Sequence, residues 1–374
     1  MKKQTAALGL SLMLAVSGIL GGCSGSSENA KAPETSAEAK QEAGEQNASE
    51  AKQGESSKPE DAGSGEVVTF KMVGNNSSAL STEAAKKIAA LIEEKSGGSL
   101  KPELYLEGQL GDNDEDLCTG LSEGNYEMLL NAEMLFNWAV PDWMELFNMA
   151  FIFEDQAHLQ KFWQSEMGAD LSDKLIEKYG VRAYIDAIAL RGPRYLTANK
   201  EIKSVDDMQG VKLRTPNNPG VIASWQATGA NVTPVAWGEL FGALQSGIVN
   251  AQENPLANID QAGLFQVQTH LMQTEHQYTN YFMYFNDAWY QTLTPDQQKI
   301  IGEAIDEGFA WHNEQVNAED EKFLDSFTEK GMTLIPKDQI DIQSFKDKII
   351  PTLLEENKDL YPEGAYDKIQ ALKD

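Results

Sequence analysis

Between residues 66 and 130 the chain switches repeatedly between the periods that strands and helices impose. This alternation limits the fold more than any other feature. EVVTFKMV (66–73) reads as a strand. Residues 78–96 place Ala84, Ala85, Ile88, Leu91 and Ile92 on one helical face, and Gly97 and Gly98 stop the helix. Residues 100–106 read as a strand, 114–123 as a helix ended at Gly124, and YEMLL (126–130) as a short apolar strand. The pattern predicts an α/β lobe with a largely parallel sheet. Its ligand-facing end is the carboxyl edge of the strands, near residues 74–77 and 131–133.

Further on, Phe136, Trp138, Trp143, Phe147, Phe151 and Phe153 crowd into twenty residues, as core packing beneath a cleft would require. A helix is expected over 158–179, ended at Gly180. A strand over 181–190 then crosses to a second lobe. Ser204 with Asp207 three residues on marks a helix start that Gly210 ends. Strands follow at 211–214 and 231–235, with helices at 219–227 and 238–246. A strand over 278–285 returns to the first lobe. Residues 295–331 carry a long helix with a stripe of Ile300, Ile301, Ala304, Ile305 and Phe309 and with Trp311 beside it, long enough to lie across both lobes. A strand at 332–335 and terminal helices complete the chain. Residues 66–374 exceed what a single core ordinarily supports, so two lobes are expected.

The first residues read as an export signal: Lys2 and Lys3, an apolar run over 6–20, then LGGC ending at Cys23. LGGC looks like a bacterial lipobox, which implies cleavage after residue 22, acylation of Cys23 and anchoring at the outer face of the cytoplasmic membrane. The alternatives are an uncleaved anchor or an ordinary signal peptide with a chance cysteine. Residues 23–65 form a linker without aromatics or apolar content for a core. Cys118 then stands alone, in an apolar helical pattern with Leu117 and Leu121, and is expected to be buried and inert.

The chain carries 58 acidic against 30 basic residues, a net charge of −28. It repels anions at long range, so any anion it binds must be captured by local cations. Three arginines, Arg191, Arg194 and Arg214, fall close together, and arginine's planar fork matches a carboxylate. Arg214 ends a strand just before Pro216, where an open α/β sheet presents side chains to a cleft. Arg191 is expected to pair with a protein carboxylate. The histidines, His158, His270, His276 and His312, show no metal-pair spacing, and His270 and His276 read as solvated. No G-x-S-x-G or H-E-x-x-H occurs. An enzyme is therefore not expected, and neither is a cofactor or metal.

RGPRYLTANKEIKSVDDMQGVKLRTPNNPG (191–220), GANVTPVAWGELFGALQSGIVNAQENPL (229–256) and EEKSGGSLKPELYLEGQLGDNDED (93–116) strongly resemble the solute-binding proteins of TRAP transporters. The likeness runs from about residue 66 to at least residue 331. It implies a two-lobed periplasmic-binding-protein-like α/β fold that closes on an organic acid. Lobe I would comprise 66–190 plus about 280–318, and lobe II 191–279 plus about 319–374. The arginine of KLR-x-P, the main carboxylate clamp of the family, falls on Arg214, and the second arginine on Arg194. The asparagine of QENP falls on Asn254 and the aromatic before G-E-L on Trp237, with Glu239 in support. Looser correspondences place further ligand contacts at Asn75 and Glu133. The resemblance also implies a monomer that delivers its ligand to a membrane permease and binds no nucleic acid. A sugar acid such as a hexuronate or sialic acid suits these residues. A C4-dicarboxylate or 2-oxo acid is the alternative, and a ligand-sensing receptor component a further one.

Overall fold

The computed structural model describes residues 67–74, 79–111 and 113–373. The signal, Cys23, the linker and Asn75 lie outside the described residues. Twelve strands are present among the described residues: β1 (Val68–Gly74), β2 (Leu100–Tyr105), β3 (Met128–Asn131), β4 (Val181–Ala183), β5 (Ala189–Pro193), β6 (Tyr195–Ala198), β7 (Lys212–Thr215), β8 (Asn231–Pro234), β9 (Ala251–Asn254), β10 (His270–Met272), β11 (Tyr278–Asn286) and β12 (Thr333–Ile335). They form two six-stranded sheets. Sheet one runs β2-β1-β3-β11-β4, with β5 also on β11; sheet two runs β12-β10-β6-β9-β7-β8.

The sequence explains the layering. In β11 the period of two sends Phe282 and Tyr284 to one face and Tyr281, Met283 and Phe285 to the other. On the second face Phe70, Met72, Ile88, Met283 and Phe309 pack between sheet one, the helix Ala79–Lys95 and the helix Pro295–Glu329. These helices cross closely because residue 308 is glycine: a Cβ there would lie 2.2 Å from Ile88 Cγ1. On the first face Phe136, Phe147, Phe162 and Trp163 form a buried aromatic nest. Phe151 and Phe153 are buried in it as well, while Trp138 and Trp143 lie half-buried at its edge. The nest continues to Trp225, Leu213 and Phe345 beneath sheet two. The aromatic run is thus core, as expected.

The chain passes between the sheets three times: from β5 to β6 at Arg194, from β10 to β11 over residues 273–277, and from β11 to β12 through Pro295–Glu329. That helix opens with a capping box, Thr294 with Gln297, and Pro295 in its first turn. No helix among the described residues is long and apolar enough to cross a membrane.

Several local expectations need correction. Sheet one is not largely parallel: β1 runs parallel to β2 and β3, but β11 is antiparallel to β3, β4 and β5. The expected helix over 158–179 is two, Gln156–Trp163 and Glu166–Tyr179, because Ser165 caps the second through Met167 N and Gly168 N. The expected strand over 181–190 breaks into β4 and β5. Between and within them, side chains replace ladder partners: Ile188 N donates to Gln160 Oε1 and Leu190 N to Asn313 Oδ1. Residues 205–208 form a 3-10 turn, with the Ser204/Asp207 capping box in place. Strands β6, β9 and β10 are additional. Cys118 is buried as expected, and burial with nearby Asp114 pushes its thiol up to about 12.

Candidate ligand-binding site

The first two crossings meet at Arg194. Its backbone N donates to Gln277 O (3.0 Å) and its carbonyl accepts from His276 N (3.3 Å). The guanidinium grips Glu253 with both arms, Nε to Oε2 at 2.5 Å and Nη2 to Oε1 at 3.0 Å. Nη2 also reaches Glu253 O and Asn254 Oδ1. Glu253 is 0% exposed, and its Oε2 also meets His276 Nε2 at 3.2 Å. Burial pushes the Glu253 carboxyl up, but Arg194 and His276 outweigh it and hold it at about 2. His276 is 1% exposed, and burial lowers its pKa against the pull of Glu253. The expectation of a solvated His276 is therefore wrong: Thr274 Oγ1 and Glu253 satisfy both ring nitrogens, and Trp225 packs against the ring. His270 is half-buried beside Thr269 Oγ1.

Arg214 has a different environment. Strand β7 lies between β8 and β9, with Arg214 opposite Thr233 and Gln252. The residue is 3% exposed. Nε and Nη2 both donate to Val235 O, at 2.9 and 2.7 Å. No ion pair joins it to a carboxylate among the described residues. Burial lowers its pKa, Glu253 opposes and Arg194 reinforces the fall. A guanidinium has five N–H donors, so most of this one remains available. Its centre lies 5.9 Å from the ring of Trp237, which is 42% exposed on the turn Trp237–Glu239. Glu239 is exposed on the same turn and makes no side-chain bond among the described residues. Asn254 is buried, its Oδ1 on Arg194 and its Nδ2 on Gln252 Oε1 at 2.5 Å.

On the sheet-one side, Glu133 stands at the head of the helix Met134–Ala139, just past β3. Its Oε2 is sealed from solvent with no hydrogen-bond partner. Burial raises its pKa, while Arg191 and Arg194 pull the other way. Arg191, on β5, does not pair as expected: no carboxylate lies within ion-pair distance among the described residues. Its guanidinium instead sits 5.0 Å from the centre of the Tyr281 ring, which the antiparallel pairing of β5 with β11 brings beside it.

The structure thus joins Arg194 to Asn254 and brings Arg214 beside Trp237, while Glu133 feels Arg191 and Arg194. Glu239 stays outside. Glu253 was not singled out from the sequence, and His276 was read only as solvated. The available signal was the acid of QENP inside a strand whose four residues are all buried, since a buried acid needs partners.

Two strand-exchanging α/β lobes with a buried, under-partnered arginine beside an aromatic turn define a two-lobed binding protein. The chain belongs to the bacterial extracellular solute-binding proteins of family 7, the DctP type, whose family model matches residues 70–359. A solute-binding protein of Roseobacter denitrificans is 31% identical over 73% of this chain and 83% of its own length. Its structure, with bound L-galactonate, superposes with a TM-score of 0.65 and 28% identity over 83% of this chain and all of that one. The 2,3-diketo-L-gulonate-binding periplasmic protein of Escherichia coli is 30% identical over 71% of this chain and 79% of its own. A TRAP periplasmic solute-binding protein of Ochrobactrum anthropi superposes at a TM-score of 0.74, with 27% identity over 82% of this chain and 95% of that one. The family and two-lobed α/β fold expected from the sequence are those found.

Proposed function

We propose that this protein captures an organic acid, a sugar acid foremost, and delivers it to a TRAP membrane permease without transforming it. The observation that carries this reading is the state of Arg214: almost wholly buried, bound only to a backbone carbonyl, with no carboxylate partner among the described residues. A buried cation left unpaired is costly, and a ligand carboxylate removes that cost on binding. The ligands of the relatives, L-galactonate and 2,3-diketo-L-gulonate, point the same way. Arg214 is the anchor. Arg194, its fork already on Glu253, adds charge and orients Asn254, which contacts a ligand hydroxyl. Trp237 covers the ligand, with Glu133 and Asn75 at its other end and Glu239 supporting the turn. The lobes divide as 66–190 plus about 280–318 and 191–279 plus about 319–374, and close by bending at the crossings. Acylated Cys23 tethers a monomer to the outer face of the cytoplasmic membrane. A labelled fatty acid should be incorporated into the wild type and not into Cys23→Ser, and equal incorporation would count against the anchor.

A thermal-shift panel of sugar acids, C4-dicarboxylates and 2-oxo acids tests the ligand class, since binding raises the midpoint by mass action. Recovery of the bound acid unchanged tests the absence of turnover. Arg214→Lys keeps the charge and loses the fork. Calorimetric affinity should fall by roughly 10–100-fold, from about 1.5–3 kcal/mol per charge-assisted bond. Unaltered affinity would remove Arg214 from the clamp.

A further inference from the structure

Five sealed side-chain polar atoms have no hydrogen-bond partner among the described residues. Three of them, Glu133 Oε2, Trp163 Nε1 and Thr279 Oγ1, belong to residues that wall one cavity of about 20 Å3. Leaving a buried polar group unpaired is costly, so three around one small space call for a common cause.

Three separate segments meet at the cavity. Glu133 follows β3, Trp163 ends the helix Gln156–Trp163, and Thr279 is the second residue of β11. A bulge places Thr279. On β5, Pro193 pairs with Tyr278 and Leu190 with Asn280, and the register shifts between them, so Thr279 has no counterpart in the ladder. Such a bulge re-aims the side chain it carries. Trp163 is 1% exposed, its ring set edge to face against Phe282 with centroids 4.7 Å apart. Its N–H is therefore held inside the core, away from solvent. Asn148 and Gln277 also wall the cavity but bond one another, Gln277 Nε2 donating to Asn148 Oδ1 at 3.4 Å. Apolar side chains such as Phe147 make up much of the rest.

The three atoms fix the chemistry of the occupant. Trp163 Nε1 only donates, a carboxylate oxygen of Glu133 only accepts, and Thr279 Oγ1 does either. A cation would meet the positive end of the indole N–H, and an anion would meet the carboxylate. The class that remains is a small neutral molecule that both accepts and donates. A space of about 20 Å3 with three polar partners admits one water.

We propose that this cavity is a water site, in which one bound water accepts from Trp163 Nε1, donates to Glu133 Oε2 and completes its shell on Thr279 Oγ1. Trp163 and Thr279 are then positioning residues. Through the water they hold the Glu133 carboxylate at the end of β3, with a bridge nearly as good as a direct bond. This positioning role rests on the reading of the chain as an organic-acid-binding protein with Glu133 at the ligand; the water site itself does not.

A high-resolution crystal structure of the ligand-free protein tests the site. It should show one ordered water within hydrogen-bond distance of all three atoms. A dry cavity, or Trp163 Nε1 bonded directly to Glu133 Oε2, overturns the inference. Two substitutions test the positioning role. Thr279→Val keeps the shape of the side chain and removes the hydroxyl, while Thr279→Ser keeps the hydroxyl. Calorimetry uses L-galactonate, or the tightest acid of the thermal-shift panel where L-galactonate does not bind. Affinity should be about two- to tenfold lower for Thr279→Val and within about twofold of the wild type for Thr279→Ser. Affinities are compared only among proteins that keep the wild-type midpoint without ligand, and the crystal structure decides the site in either case. Equal affinity in all three proteins overturns the positioning role, and so does a loss that Thr279→Ser shares. Binding of no acid in the panel overturns the parent reading instead and leaves the water site to the crystal structure.

Discussion

Arg194 and Arg214 flank the same strand, β9, and meet opposite fates. Around Arg194 every charge has its counterpart: Glu253 takes both arms of the fork, His276 and Thr274 complete the row, and two backbone bonds join the crossings. Around Arg214 the described residues supply one carbonyl and an exposed indole. A buried charge with a full set of partners serves the fold, and one left short serves what comes from outside.

Breaking the first region should give the largest effect. Glu253→Gln leaves Arg194 without its counter-charge and should destabilise the ligand-free protein by about 3–5 kcal/mol in urea unfolding. A loss below about 1 kcal/mol would show that the network is not structural. Acid should act on the same region. The folded Glu253 carboxyl, held at about 2, contributes stability that is complete above the unfolded carboxylate value of about 4.3 and is lost as pH falls toward 2. His276, kept neutral by burial, adds a loss below about pH 6.5, where only the unfolded state takes up the proton readily. Stability measured from pH 7 to 3 should therefore fall in two stages, and Glu253→Gln should flatten the lower one.

The second region should respond in affinity alone. Arg214→Lys should leave the ligand-free midpoint within about 2 °C, the shift of less than 1 kcal/mol in a domain of this size. A larger drop would move Arg214 into the structural class. A third site sharpens the comparison. Asp320, on the helix Pro295–Glu329, is an acid with no ion-pair partner among the described residues: burial, with Glu319 and Glu275 nearby, pushes it to about 7. Its raised value penalises the fold as pH climbs from the ordinary carboxylate range to 7 and beyond. Asp320→Asn should accordingly raise the midpoint by a few degrees at pH 8 and by nothing at pH 4. The smallest effect belongs to Trp237→Ala, where an exposed cation–π contact of about 0.5–1 kcal/mol should cost roughly two- to fivefold in affinity. A fall in stability there would contradict its place on the surface.

Helix punctuation was legible from the residues: Ser204 with Asp207 and Gly180 act where their types predict. Three of the short strands were not. β6, β9 and β10 hold three or four residues each, too few to display a period, and β9 coincides with a motif that draws the eye to its asparagine. Pairing was least legible. Glu253 finds Arg194 across 59 positions and His276 across 23, distances at which only the folded chain decides who meets whom. Arg191 was expected to find a carboxylate because acids abound, yet β5 lays it over Tyr281 instead. Asn131 and Glu133 did emerge at the end of β3, where strand topology alone placed them.

Strand β11 lies between β3 and β4, so sheet one waits for residues 278–286 before its middle is filled. A ribosome must therefore finish three quarters of the polypeptide before the N-terminal half can close. Late, non-local closure slows folding. In a member of an extracellular solute-binding family, the early strands of sheet one are thus left without their central partner until a late strand of the chain is present.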